Sequence, residues 1–127
     1  RESQSFFARI KRFLFIKPSK LVNKKGNVIH IEKGEHIYEA GSQGSDVYYI
    51  VSGFAEIVKN NHVEYANPGS FIGEVSAFLD IPREATVIAQ TDLQLVKIKE
   101  EDFQTLLQTN PKVTQRLLEN VAKVKLS

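Results

Sequence analysis

All seven glycines of this 127-residue chain fall between Gly26 and Gly73, and they divide that stretch into short runs rich in Val, Ile, Tyr and Phe. Glycine reaches positive φ at no steric cost, so glycines at these intervals permit repeated tight reversals. The β-branched and aromatic runs between them suit pleated strands. Asn60-Asn61 and Asn67-Pro68-Gly69 add two further turn signals. The pattern predicts strands at 27–32, 35–40, 46–51, 54–59 and 62–66, with two more at 85–90 and 93–99. Lys59-Asn60-Asn61-His62 reads as a tight hairpin, because Asn tolerates the left-handed conformation such turns require. Alternation is imperfect in the last two strands, which predicts a bulge there. The architecture expected is an antiparallel barrel or sandwich.

Helical spacing brackets this β-rich centre. Phe6, Phe7, Ile10, Phe13 and Leu14 recur at i, i+3, i+4 and i+7, with Arg9, Lys11 and Arg12 among them, until Pro18 and Ser19 interrupt. Glu101 and Asp102 open a second helix whose apolar side is Phe103, Leu106 and Leu107. Asn110-Pro111 then supplies the cap and first position of a third, with Val113, Leu117, Leu118, Val121 and Val124 in one stripe. The chain is thus expected to comprise a basic amphipathic helix and linker at 1–25, a β-rich body at 26–99, and C-terminal helices at 100–127. It begins at Arg1 and reads as an excised piece, with the last helix cut short.

Residues 1–25 carry eight Lys or Arg against one Glu, whereas the whole chain has a net charge of only +2. The Phe face of the first helix is expected to pack on the main domain or on a neighbour. Lying on a membrane surface is a lesser role for it, and no groove-reading element follows that would suit nucleic acid. There is no Cys, which excludes disulfides, thiolate metal sites and a cysteine nucleophile and is compatible with a reducing compartment. No run approaches the 18 or so apolar residues of a membrane span.

The chemistry concentrates between Phe71 and Thr86, in F-I-G-E-V-S-A-F-L-D-I-P-R-E-A-T. Gly73 lets the backbone approach a ligand closely. Glu74 can only accept hydrogen bonds, which suits a sugar hydroxyl, and Arg83 offers a planar fork of donors matched to a phosphate. Pro82 fixes the backbone leading to that Arg.

Gly-Glu and Pro-Arg-x-Ala-Thr at this spacing, behind the glycine-punctuated stretch Gly34–Ile57, resemble the phosphate-binding cassette of the cyclic nucleotide-binding domain family. The resemblance covers about Gly26 to Ser127. It implies a mainly β, α+β fold: a β-roll or jelly-roll barrel with an N-terminal helix, a short helix inside the cassette and two C-terminal helices. It also implies a regulatory module without catalysis, whose ligand is cyclic AMP or cyclic GMP. Gly73 and Glu74 would meet the ribose, and Arg83 the cyclic phosphate. Val75 and Ser76 would direct amide N–H groups at that phosphate, and Ala85 would leave room for the ligand. Ile57 or Val58 would pack on the sugar. Glu84 departs from the family, which has a small or hydroxyl residue there, a Thr being associated with cyclic GMP; cyclic AMP is therefore expected first. The C-terminal helix would act as a lid or dimer helix that transmits occupancy to an effector domain in the cytoplasm or at the cytoplasmic face of a membrane protein. Tyr38, Tyr48 and Tyr49 are expected in strands and core rather than as base-stacking platforms.

Two other readings stay open at this level. Glu84 beside a phosphate permits a degenerate relative that keeps the fold as a structural or protein-interaction domain. His30, His36 and Glu39 permit a metal-binding barrel enzyme of cupin type, although the six-residue separation of the histidines, broken by Gly34, does not match the usual cluster.

Overall fold

The computed structural model describes residues 28–126, the side chains of Lys125 and Leu126 excepted. The helix expected over Phe6–Leu14 and the linker after it lie outside these residues. Eight strands are formed: β1 (Val28–Ile31), β2 (His36–Tyr38), β3 (Val47–Ser52), β4 (Ala55–Lys59), β5 (His62–Ala66), β6 (Phe71–Ile72), β7 (Thr86–Ala89) and β8 (Leu93–Ile98). Among the described residues three helices accompany them: α1 (Glu74–Leu79), α2 (Glu100–Thr109) and α3 (Pro111–Leu126). The strands build two four-stranded sheets in the orders β1-β8-β3-β6 and β2-β7-β4-β5, and every pairing is antiparallel. This is the β-roll with flanking helices that the resemblance implied.

Local chemistry explains the turns. The β4–β5 hairpin closes with Lys59 opposite His62, and Asn60 takes φ 56°, the left-handed conformation Asn accommodates best after Gly. At Gly53 φ is +88°, and a Cβ would meet the Asp92 carbonyl at 2.2 Å, so only glycine fits.

Two apolar layers hold the elements. Ile50, Ala55, Val87, Ala89, Leu93 and Leu95 fill the space between the sheets. Val47, Tyr49, Val96 and Ile98 point the other way, against Val75 of α1, Phe103 and Leu106 of α2, and Val113 and Leu117 of α3. Strands β3 and β8 therefore carry buried apolar side chains on both faces, which blurs polar-apolar alternation. That is why period-2 patterning fades in β8.

Four details differ from the sequence reading. Strand β6 was not anticipated: two residues inside the cassette are too short for a periodic signal, yet they pair with Tyr48 and Tyr49. The register shifts fall not in β7 or β8 but on their partners, between His36 and Tyr38 of β2 and between Ile50 and Ser52 of β3. The cassette helix, for which the resemblance implies Val75 to Leu79, starts one residue earlier, at Glu74. Leu118 stands off the α3 stripe, 52% exposed, while Val113 and Leu117 are buried.

Candidate functional site

The site is assembled where β6 runs into α1. Gly73, at φ 84° and ψ 2°, takes the left-handed conformation at the N-terminus of α1. Its carbonyl accepts the Ala77 N–H at 3.2 Å and a guanidinium N–H of Arg83 at 3.0 Å. Seven residues later Asp80, also left-handed at φ 56°, ends α1, and the Ile81 N–H donates back to the Ser76 carbonyl at 3.1 Å. Pro82 follows, and the chain returns to place Arg83 beneath Gly73.

Arg83 is 4% exposed. Its Nη1 donates to the Gly73 carbonyl at 3.0 Å and to Ser76 Oγ at 2.9 Å, and its Nη2 donates to the Asp46 carbonyl at 2.9 Å. The guanidinium carbon lies 4.2 Å from the centroid of the Tyr38 ring, a cation–π separation. The loop before β3 holds the backbone of the same residue: the Arg83 N–H donates to the Ser42 carbonyl and the Gly41 N–H to the Arg83 carbonyl. At Gly44 a Cβ would fall 2.9 Å from Nη2. Among the described residues no carboxylate is within ion-pair distance of Arg83. The cation is thus buried against neutral oxygens and a ring face, a costly arrangement for a full charge lacking a counter-ion.

Glu74, the first residue of α1, is also buried. Its carboxylate accepts from Asn120 Nδ2 of α3 at 2.9 Å and from its own backbone N–H. Burial pushes its pKa above the ordinary carboxylate value, the charge of Glu84 adds to this, and the two hydrogen bonds and Arg116 act in the opposite direction.

A cavity of about 600 Å³ opens between sheet β2-β7-β4-β5 and α3, with Gly73, Glu74, Val75, Glu84 and Ala85 in its wall. That volume lies in the range of small-molecule sites. Ile57 and Tyr38 line it on the sheet side, and Lys123 and Val124 of α3 face it from the other side. Glu84 Oε1 is buried and has no hydrogen-bond partner. Around Tyr38, desolvation drives the phenol strongly upward.

Five of the seven residues expected at the site therefore share one cavity wall. Ser76 and Arg83 are set back from it, tied to each other and to Gly73. Of the two residues expected to pack on a sugar, Ile57 reaches the cavity and Val58 does not. Tyr49 is core, its hydroxyl pushed up to about 12 by burial, and Tyr38 and Tyr48 lie in strands and pack against the inter-sheet core, Tyr38 also bordering the cavity and Arg83. Asp46, the Ser76 hydroxyl and Asn120 were missed. The first acts through a backbone carbonyl that any residue possesses, and the last is one polar residue in an amphipathic helix, so neither carries a local signal. The metal-binding alternative does not assemble: His36 pairs with Glu39, while His30 lies on β1 in the other sheet. No cluster of three metal-ligating side chains occurs among the described residues.

Comparison with known proteins gives concordant results. The family model for the cyclic nucleotide-binding domain matches residues 28–110. A cyclic nucleotide-gated potassium channel of Mesorhizobium japonicum is 32% identical over 85 residues, 67% of this chain and 24% of the channel. A cAMP-dependent protein kinase regulatory subunit of Yarrowia lipolytica is 35% identical over 80 residues, 61% of this chain and 21% of the subunit. Among solved structures, one described as Sp-2Cl-cAMPS bound to PKAR CBD2 superposes with a TM-score of 0.67 at 30% identity, covering 76% of this chain and 67% of the other. The chain spans about a quarter or less of the length of these two curated relatives.

Proposed function

The chain belongs to the cyclic nucleotide-binding domain family, and we propose that it is a sensor of cyclic AMP that performs no chemistry of its own. The observation that carries this reading is the buried Arg83 cation without a carboxylate partner, one hydrogen bond from the Gly73 turn that borders a nucleotide-sized cavity. An entering cyclic phosphate supplies the missing anion. Arg83 then exchanges neutral acceptors for charge-assisted bonds, which contribute roughly 1.5 to 3 kcal/mol each. Glu74 accepts from the ribose 2′-hydroxyl, the amides of Val75 and Ser76 face the phosphate, Ala85 leaves space, and Ile57 covers the sugar. Cyclic AMP is placed before cyclic GMP because Glu84 stands where a Thr would favour the latter. The cAMP analogue in the structural neighbour agrees with that choice.

Occupancy is read out through α3, which borders the cavity and joins the domain to whatever effector the longer protein carries, with a homodimer through this helix as a further use of its surface. The effector differs among relatives, from a channel to a kinase regulatory subunit, and function at that level is a property of the attached domain. Among the described residues no helix is long and apolar enough to cross a membrane. The absence of cysteine suits a reducing compartment, and we place the domain in the cytoplasm or at the cytoplasmic face of a membrane protein.

One pair of observations favours the alternative of a structural domain that no longer binds: Arg83 already holds three internal acceptors, and the Glu84 carboxylate lies in the cavity wall. Calorimetric titration with cyclic AMP and cyclic GMP decides between them. Saturable heat from cyclic AMP, stronger than from cyclic GMP, is the expected outcome. No heat from either nucleotide sinks the sensor reading.

A further inference from the structure

The Asn120 side chain joins the polar end of the cavity to α3, the helix that borders it. It lies 46 positions from Glu74 in sequence, yet its Nδ2 meets Glu74 Oε2 at 2.9 Å. Both residues are in the cavity wall. Lys123 and Val124, one turn further along α3, face the same space, so the helix presents this face to any ligand there.

We propose that Asn120 is a positioning residue: it orients the Glu74 carboxylate for a ribose 2′-hydroxyl and thereby ties the docking of α3 to occupancy of the site. This rests on the reading of the cavity as a cyclic nucleotide site. A carboxylate offers about four lone-pair positions. The Glu74 backbone N–H and Asn120 use two of them, which leaves acceptor capacity toward the cavity while removing the rotational freedom of the side chain. A pre-oriented acceptor loses less entropy when the hydroxyl arrives. Because the same bond holds α3, the coupling is reciprocal. Whatever factor docked α3 adds to ribose affinity, ribose adds to α3 docking. Without Asn120 the Glu74 carboxylate, buried beside Glu84, loses its hydrogen bond from α3 and is held less firmly.

The test compares cyclic AMP with 2′-deoxy cyclic AMP, which lacks only the hydroxyl in question, on the intact chain, Asn120→Ala and Leu118→Ala. Leu118 is exposed on the same helix and controls for effects of altering α3. In the unsubstituted chain cyclic AMP binds more tightly than the deoxy compound. In Asn120→Ala cyclic AMP weakens by about tenfold, the deoxy compound hardly changes, and the preference collapses. Leu118→Ala keeps it. Hydrogen exchange provides the second readout, since cyclic AMP slows exchange in α3 of the unsubstituted chain and does not in Asn120→Ala. If Asn120→Ala retains full discrimination against the deoxy compound, or still shows ligand-dependent protection of α3, the inference is overturned while the sensor reading stands. Failure of the unsubstituted chain to bind cyclic AMP removes that reading and the inference together.

Discussion

Arg83 and Gly73 fit each other so closely that no side chain could be added at Gly73 without displacing the guanidinium. The Arg83 Nη1 donates to the Gly73 carbonyl at 3.0 Å, and a Cβ on Gly73 would lie 2.6 Å from the same nitrogen. The left-handed φ of 84° that aims this carbonyl at Arg83 is itself one that side chains rarely adopt.

Gly73→Ala should therefore fail on two counts. The strained backbone costs roughly 1 to 3 kcal/mol, and Cβ pushes both Arg83 and the Asp46 carbonyl out of place. We expect a lower Tm and loss of cyclic AMP binding. A variant with unchanged Tm and full affinity would contradict this arrangement.

Arg83→Ala should weaken cyclic AMP by roughly 3 to 5 kcal/mol, because a buried phosphate loses its guanidinium partner. It also removes the donor to the Asp46 carbonyl and to Ser76 Oγ, and one of the donors to the Gly73 carbonyl, so stability falls too. Arg83→Lys separates the effects. It keeps the charge but not the fork, so binding should recover in part while the tie to Asp46 does not. Titration calorimetry and urea unfolding on the same samples distinguish the two quantities.

Glu84→Ala should tighten binding. The carboxylate borders the cavity, and its buried Oε1 has no donor, so in the complex it acts as a like charge near the phosphate. We expect a gain of about tenfold for both nucleotides, roughly 1.4 kcal/mol, and Glu84→Thr should move the preference toward cyclic GMP. Unchanged affinity in Glu84→Ala would show that the side chain turns away from the ligand.

Glu74 gives a pH dependence of definite sign. Its folded-state pKa lies above the ordinary value of 4.5. Between that value and the raised one, the folded chain retains a proton that the unfolded chain has lost, so this group's contribution to stability falls as pH rises through the window. Ionised Glu74 is the better acceptor, so cyclic AMP affinity rises with pH over the folded-state titration. Glu74→Gln should flatten both trends. Unfolding and binding measured across acidic to neutral pH provide the check, and a stability that climbs through this window in the unsubstituted chain but not in Glu74→Gln would reverse the assignment.

Much of the fold was legible because its signals are local. Seven strands could be read from glycines and β-branched runs, and the αL Asn60 from the hairpin's own residues. Helices α2 and α3 followed from Glu101-Asp102 and Asn110-Pro111 with the apolar spacing behind them. Strand β6 was not legible: two residues carry no period, and their pairing depends on Tyr48 and Tyr49 more than twenty positions earlier. Leu118 was misplaced because helical spacing alone cannot say where the edge of an apolar stripe meets solvent. That edge is set by what α1 and β3 offer opposite.

The sequence by itself determined which chemical groups were available and the turn chemistry that brings Gly73, Glu74 and Arg83 near one another, since these lie within one short segment whose backbone is governed by Gly73 and Pro82. The tertiary structure alone decided how they are held. Arg83 is gripped by the carbonyl of Asp46, 37 positions away, and Glu74 by Asn120, 46 positions away. Contacts of that range depend on which faces the sheets bury and where α3 comes to rest. Those are outcomes of packing the whole core, so no local pattern of residues announces them.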